Sequence, residues 1–324
     1  MRFISKICFI IDNIMDLLIT SHRPNLSNSS LKVYLSALRK LNDNKPVQSI
    51  TFLLDYNSII EKLIPKSNNT KKSYLTAVGV ALQVAQGKSN KYDEIIKKYD
   101  ALRDSYQNEY VEQVASHEKT PKQAANWVDW LEWVDMADTL TNTTKHLKKK
   151  VDWSKAELLE YQDHVITQLY KHYPVRNGYH DTKIITKREY NTLKEIDKKS
   201  TNYVVLGRPM MLILNEYKTS KKYGEKIIKI DATVANSIRI FLKHNTSGFL
   251  LVSPTHIDRP INSNGITKTL QRISAEHFDG KKIGSSLIRH MYLSEKYGKN
   301  VLDKKEDSYI MGHSLAMQND YVKV

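Results

Sequence analysis

The spacing of apolar residues changes partway along this 324-residue chain and later changes back, and that interruption limits what the chain can build. Before Asp181 the apolar positions recur at helical intervals. Beyond it they gather into short runs rich in β-branched residues: Lys183-Ile184-Ile185, Tyr203 to Leu206, Met210 to Leu214 and Lys226 to Ile230. Runs of this length between polar segments read as strands. Lys218-Thr219-Ser220-Lys221-Lys222-Tyr223-Gly224 separates the last two, which predicts a hairpin with a basic tip. Helical spacing returns after Asp231. The expected fold is mainly α with a small antiparallel β-sheet, set in a C-terminal part that follows an all-helical N-terminal part.

Within the N-terminal part, residues 1–22 read as an amphipathic helix that packs on the rest of the protein. Lys6, Asp12 and Asp16 interrupt its apolar residues, and the unbroken run Ile7 to Ile11 is too short for a signal h-region or a membrane span. Arg23 to Ser27 marks a break. Ser29 and Ser30 then precede Leu31, Tyr34, Leu35, Leu38 and Leu41 at helical spacing, and a similar unit with Tyr74, Leu75, Val78 and Leu82 follows Pro65. Residues 88–118, sparse in apolar positions, predict a long surface helix. Ser116 to Pro121 is a polar boundary at which Pro121 favours an extended Thr120. These breaks divide the chain into 1–22, a helical domain at 23–118, a linker at 119–126 and a second domain at 127–324. Trp127, Trp130, Trp133 and Trp153 all lie in the last of these and read as packing residues.

A formal charge of +15 and a pI near 9.5 point to a polyanionic partner, either nucleic acid or an acidic membrane surface. The basic residues are dispersed rather than gathered on one amphipathic helix, which argues against the membrane. Cys8 is the one cysteine, so neither a disulfide framework within one chain nor a multi-cysteine zinc site is available. An intracellular, reducing compartment is the expected setting, with no metal and no cofactor.

The most specific chemistry lies near the end. Ser286-Leu287-Ile288-Arg289-His290 is followed by Met311-Gly312-His313-Ser314 and then by Tyr321. An arginine offers a planar fork of donors to a phosphate, a histidine adds another hydrogen bond, and a tyrosine hydroxyl is able to form a covalent ester. Two further basic residues stand upstream: Arg176, between a helical segment and the first strand, and Lys218, at the start of the hairpin tip. Two arginines and a histidine neutralise charge on a phosphodiester under attack without a metal, and a lysine on the hairpin is able to protonate the departing oxygen. Lys221 and Lys222 share that hairpin. The runs Lys145 to Lys150 and Lys198-Lys199 read as solvated faces.

Arg, Lys, Arg, His and Tyr in this order resemble the tyrosine recombinases, the phage-integrase family. The similarity covers most of the chain. SSLKVYLSALRKL, from Ser29, is similar to the opening of the family's helical core-binding domain, and the region from 127 onward resembles its catalytic domain. Asn215 to Lys221 and Leu287 to His290 look most like the versions carried by eukaryotic viruses and mobile elements. The resemblance implies a site-specific recombinase or integrase that acts on double-stranded DNA, working as a homotetramer on two DNA sites. Arg176 and Arg289 would clamp the scissile phosphate, His313 would hydrogen-bond it, Lys218 would be the general acid, and Tyr321 would form a 3′-phosphotyrosine. Ser286, His290 and Lys221 are candidate supporting residues. Two positions depart from the family pattern. Ser286 stands where many members have a histidine, and Tyr179 stands where an acidic residue is common, with Asp181 the nearest carboxylate. A topoisomerase of the same chemistry, a telomere resolvase and a catalytically impaired DNA-binding relative are the alternatives.

Overall fold

Ser27 ends the polar break and starts the first interior helix of the computed structural model, Asn28–Leu41, by accepting the backbone N–H of Ser30 on its Oγ. The structure describes residues 15, 16, 18–115, 118–297, 304–314, 317, 318 and 320–322, and the chain divides into two compact units, 1–116 and 117–324. Of the expected N-terminal helix, residues 15, 16 and 18–22 are helical, and Met15 and Ile19 enter the core of the first unit; residues 1–14 and 17 lie outside the described residues.

The first unit is built from Asn28–Leu41, Tyr56–Leu63, Asn68–Gln86 and Asp93–Ala115. Leu38, Leu41, Leu63, Leu75, Val78 and Leu82 close its core at the helical spacing that the sequence shows. The expected long helix is Asp93–Ala115, which lies along Asn68–Gln86. Its Tyr99 is wholly buried, and the hydroxyl donates to the carbonyl of Leu53 at 2.7 Å. That bond removes the cost of an unpaired buried donor.

In the second unit a central helix, Lys155–His172, begins at a capping box of Ser154 and Glu157. Tyr161, Val165, Ile166, Leu169 and Tyr170 on it are buried, and Trp130–Thr143, Ala232–Phe241 and Ser263–His277 pack around it. His164 is a core histidine held between Thr141 Oγ1 and Ser237 Oγ. Trp133 is buried, while Trp127, Trp130 and Trp153 are partly buried against the same core, so all four tryptophans pack.

The sheet comprises β1 (Lys183–Thr186), β2 (Tyr203–Leu206), β3 (Met211–Leu214) and β4 (Lys226–Lys229), ordered as in sequence. β2, β3 and β4 pair antiparallel, with Val204 opposite Leu212 and Leu212 opposite Ile228. β1 instead lies parallel to β2, which makes the sheet mixed rather than purely antiparallel. A parallel pair needs a crossover rather than a tight turn. The chain supplies one in two short helices, Lys187–Thr192 and Glu195–Lys198. The hairpin tip is itself a short helix, Ser220–Tyr223.

Residues 119–126, expected as a linker, hold a helix, Pro121–Asn126. Thr120 is extended, its hydroxyl caps Gln123 N–H, and Pro121 takes the first position, where a missing N–H costs nothing. Asn126 Oδ1 accepts the backbone N–H of Lys282 at 2.7 Å, which ties this helix into the second unit. Among the described residues no helix is long and apolar enough to cross a membrane.

Leu212, central in the sheet and fully buried, reports on this core. Leu212→Ala is expected to lower unfolding free energy by about 3 kcal/mol, read by urea denaturation with an unchanged slope.

Candidate active site

Arg176 lies in the connection between Lys155–His172 and β1, and its neighbours hold that connection in place. Tyr179, fully buried, donates its hydroxyl to the carbonyl of Tyr173 at 2.6 Å, and Asn177 Nδ2 reaches Ser263 O and Thr267 Oγ1, each at 2.8 Å. Tyr179 is therefore a core residue. Asp181 faces His180 at 3.2 Å, and no bond from its side chain to the cluster below is present among the described residues.

Arg289 projects from the helix Ser285–Tyr297, one of the largest fully buried side chains in the protein. The following segment is fastened to that helix by Tyr297, which donates its hydroxyl to Asp307, and by the Lys296 to Asp307 ion pair at 3.0 Å. Lys304–Met311 then ends at Gly312, with φ at 71°. A side chain at Gly312 would be strained by that angle, and its Cβ would stand 3.0 Å from Lys226 Nζ. The turn brings His313 inward, and Ser308 Oγ donates to its carbonyl. Ser314 Oγ caps Met317 N–H, and Tyr321 N–H donates to Gln318 O, which turns Tyr321 back toward the arginines.

Two arginines distant in sequence meet at the Tyr321 phenol oxygen, with His313 and His290 beside them. Arg176 Nη2 donates to Tyr321 Oη at 2.8 Å and Arg289 Nη1 does so at 3.0 Å. Arg289 Nη2 donates to His313 Nδ1 at 2.5 Å, and the Arg289 guanidinium stands 4.4 Å from the centre of the Tyr321 ring. His290 donates its Nδ1–H to the Tyr321 carbonyl at 2.9 Å and meets the tyrosine ring edge-on. Burial, followed by the charges of Arg289, Arg176 and Lys226, holds His313 down to about 3. The ring is thus neutral near pH 7. With Nδ1 accepting from a guanidinium, its one proton lies on Nε2. That donor and Arg289 Nε are both buried and have no hydrogen-bond partner among the described residues. Two donors without acceptors beside two guanidinium groups are chemistry suited to holding an anion.

Lys226 joins this cluster, and sequence reading did not single it out. It is the first residue of β4 and almost fully buried, with its ammonium over the ring of Tyr217 at 4.8 Å. Burial first and Arg289 second lower it to about 8. One signal existed in the sequence: Lys226 stands in phase with Ile228 and Ile230 on the inward face of a strand, where a charge is out of place. Lys218 and Lys221 are exposed on the hairpin. Lys218 lines a narrow cleft together with Arg176, Lys226 and Gly312, and Thr219 fastens the hairpin by donating its hydroxyl to the Gly312 carbonyl. Ser286 is exposed at the start of its helix and lines a separate cavity with His290. Among the described residues no group of three or more His, Cys, Asp or Glu is placed to hold a metal ion.

No family model and no curated protein matches the chain. Among solved structures, one titled "Crystal structure of XerA recombinase" is similar at 13% identity and a TM-score of 0.39, over 96% of this chain and 94% of that one.

A histidine whose folded pKa is depressed binds fewer protons than it does when unfolded, so stability falls with pH below the ordinary value of 6.5 and continues to fall toward about 3. Wild type is therefore expected to lose, between pH 7 and 5, about 2 kcal/mol of unfolding free energy that His313→Gln does not lose. Parallel denaturant titrations at both pH values measure the difference.

Proposed function

We propose that this chain is a DNA strand transferase that cleaves and rejoins duplex DNA through a covalent phosphotyrosine. The observation that carries the reading is the meeting of Arg176 and Arg289 on Tyr321 Oη, with an unpaired His313 Nε2–H beside them. When a phosphodiester enters, the guanidinium N–H groups pass from the phenol oxygen to the non-bridging phosphate oxygens. His313 Nε2–H and Arg289 Nε add two more donors where negative charge builds up. Tyr321 Oη attacks phosphorus, a 3′-phosphotyrosine forms, and the 5′ oxygen leaves with a proton. Ser286 cannot carry a proton near neutrality, so the phenolic proton passes to His290 or to water. Reversal by another 5′ hydroxyl reseals the strand, since the covalent link retains the energy of the bond broken.

The departing oxygen takes its proton from Lys226. That ammonium is buried beside the arginines with a pKa lowered to about 8, which suits a general acid at neutral pH. Lys218, in the same cleft, is its competitor. The expected biological role is site-specific recombination or integration by a homotetramer on two DNA sites, with the helical first unit as a DNA-binding domain. Service to a viral or mobile-element genome belongs to the same proposal.

A randomised pool of nicked duplexes, in which the cleaved end diffuses away, tests the nucleophile and finds the target together. Wild type is expected to become covalently attached to DNA that can then be sequenced, and Tyr321→Phe is not; capture that persists in the Phe variant would remove Tyr321 from its role.

DNA with sulfur in place of the bridging 5′ oxygen separates the two lysines, because a thiolate leaves without a proton. Lys226→Ala is expected to slow cleavage of ordinary DNA about 100-fold or more and to recover on the sulfur substrate. A general acid must be protonated, so wild-type cleavage of ordinary DNA should decline above pH about 8 and that of the sulfur substrate should not. Recovery confined to Lys218→Ala would transfer the role to Lys218.

A further inference from the structure

A cavity of about 520 Å³ opens beside the cluster, bounded by Pro121–Asn126, Ser263–His277 and the first turn of Ser285–Tyr297. It touches the catalytic constellation at two points. His290 lines it while also holding the Tyr321 carbonyl, and Asn177 lines it next in sequence to Arg176. The two charged side chains in its lining are both cationic, Lys122 and Lys282. Among the described residues neither has a carboxylate partner, whereas Lys150, Lys171, Lys198 and Lys296 all do. Gln271 offers a side-chain amide with no hydrogen bond among the described residues, and Ser286 offers an exposed hydroxyl. Asn126, by contrast, is already committed, with Oδ1 to Lys282 N–H and Nδ2 to Lys122 O. These two bonds set the segments that bear the lysines on a common frame.

The geometry points to a second anion subsite: the cavity takes a nucleotide unit of the DNA strand neighbouring the one attacked. Lys122 and Lys282 neutralise its phosphate, while Gln271 and Ser286 supply hydrogen bonds. The volume accommodates a sugar and phosphate, and the pairing of uncompensated cations with free amide and hydroxyl groups matches a phosphodiester rather than an apolar guest. Ser286 thereby has a place in binding, although it has none in proton transfer. This inference rests on the reading of the chain as a DNA strand transferase.

The test is duplex DNA binding by fluorescence anisotropy as a function of KCl, using the full chain. Each phosphate neutralised contributes about −0.9 to the slope of log affinity against log salt. The double variant Lys122→Gln, Lys282→Gln, which gives up that one phosphate, is expected to bind with a slope flatter by about 0.9 than wild type. A second variant, Gln271→Trp, fills the cavity without altering charge and is expected to weaken binding at fixed salt by tenfold or more, with thermal melting as the check on folding. An unchanged slope in the lysine variant, or wild-type affinity in a folded Gln271→Trp protein, overturns the subsite while leaving the strand-transferase reading intact. Failure of the wild-type protein to bind duplex DNA at all would sink the underlying reading and the subsite with it.

Discussion

The arrangement of the second unit's C-terminal region depends on burying the charge of Arg289 with no carboxylate paired to it among the described residues. Moving a guanidinium out of water costs several kcal/mol, and proteins usually recover this with a paired acid. Here the partners are a phenol oxygen, a neutral imidazole nitrogen and an aromatic face, and Nε is left over. Even so, Arg289 is lowered only to about 10, by burial first and by Arg176 among the charges, so the group stays cationic at neutral pH. Its field then acts on its surroundings, contributing to the lowering of Lys226 and of His313. An uncompensated buried cation is a poor way to stabilise a fold and an effective way to wait for an anion.

That cost is carried by a core in which the buried Trp133 Nε1 and Tyr161 Oη have no hydrogen-bond partner among the described residues, while its amides and its histidine do. The polar groups in the centre of the second unit are largely satisfied: Gln162 exchanges two bonds with Val252, His164 has a hydroxyl at each ring nitrogen, and Gln168 donates to Ala137 O and Thr141 Oγ1. The unsatisfied donors at Arg289 and His313 lie apart from that centre, next to the phenol they share. These unpaired donors and most of the apolar core thus occupy different parts of one unit.

Much of the architecture was legible because it follows from period and capping. The strand runs, the basic hairpin, the long helix Asp93–Ala115 and the packing role of the tryptophans are local or compositional signals. The parallel placement of β1 was not legible, since the residues between Ile185 and Tyr203 look like a loop until their two short helices turn them into a crossover. The helix Pro121–Asn126 was hidden for a similar reason: Thr120 and Pro121 signal a boundary and a helix start equally well. Of the candidate site, the chain order of Arg176, Arg289, His313 and Tyr321 could be read, but their gathering into one cluster depends on tertiary turns such as that at Gly312. Lys226 is legible only through its phase with Ile228 and Ile230, a weak signal because Lys229 follows on the opposite face of the same short strand.

The bond from Thr219 to the Gly312 carbonyl joins two loops that otherwise belong to different parts of the chain. One bears Lys218 and runs into the strand of Lys226; the other bears His313 and leads to Tyr321. A load applied to the chain end is therefore felt at the hairpin, and a ligand that lifts the hairpin tugs on the histidine. The two loops form a mechanical linkage, through which a displacement of either one is passed to the other.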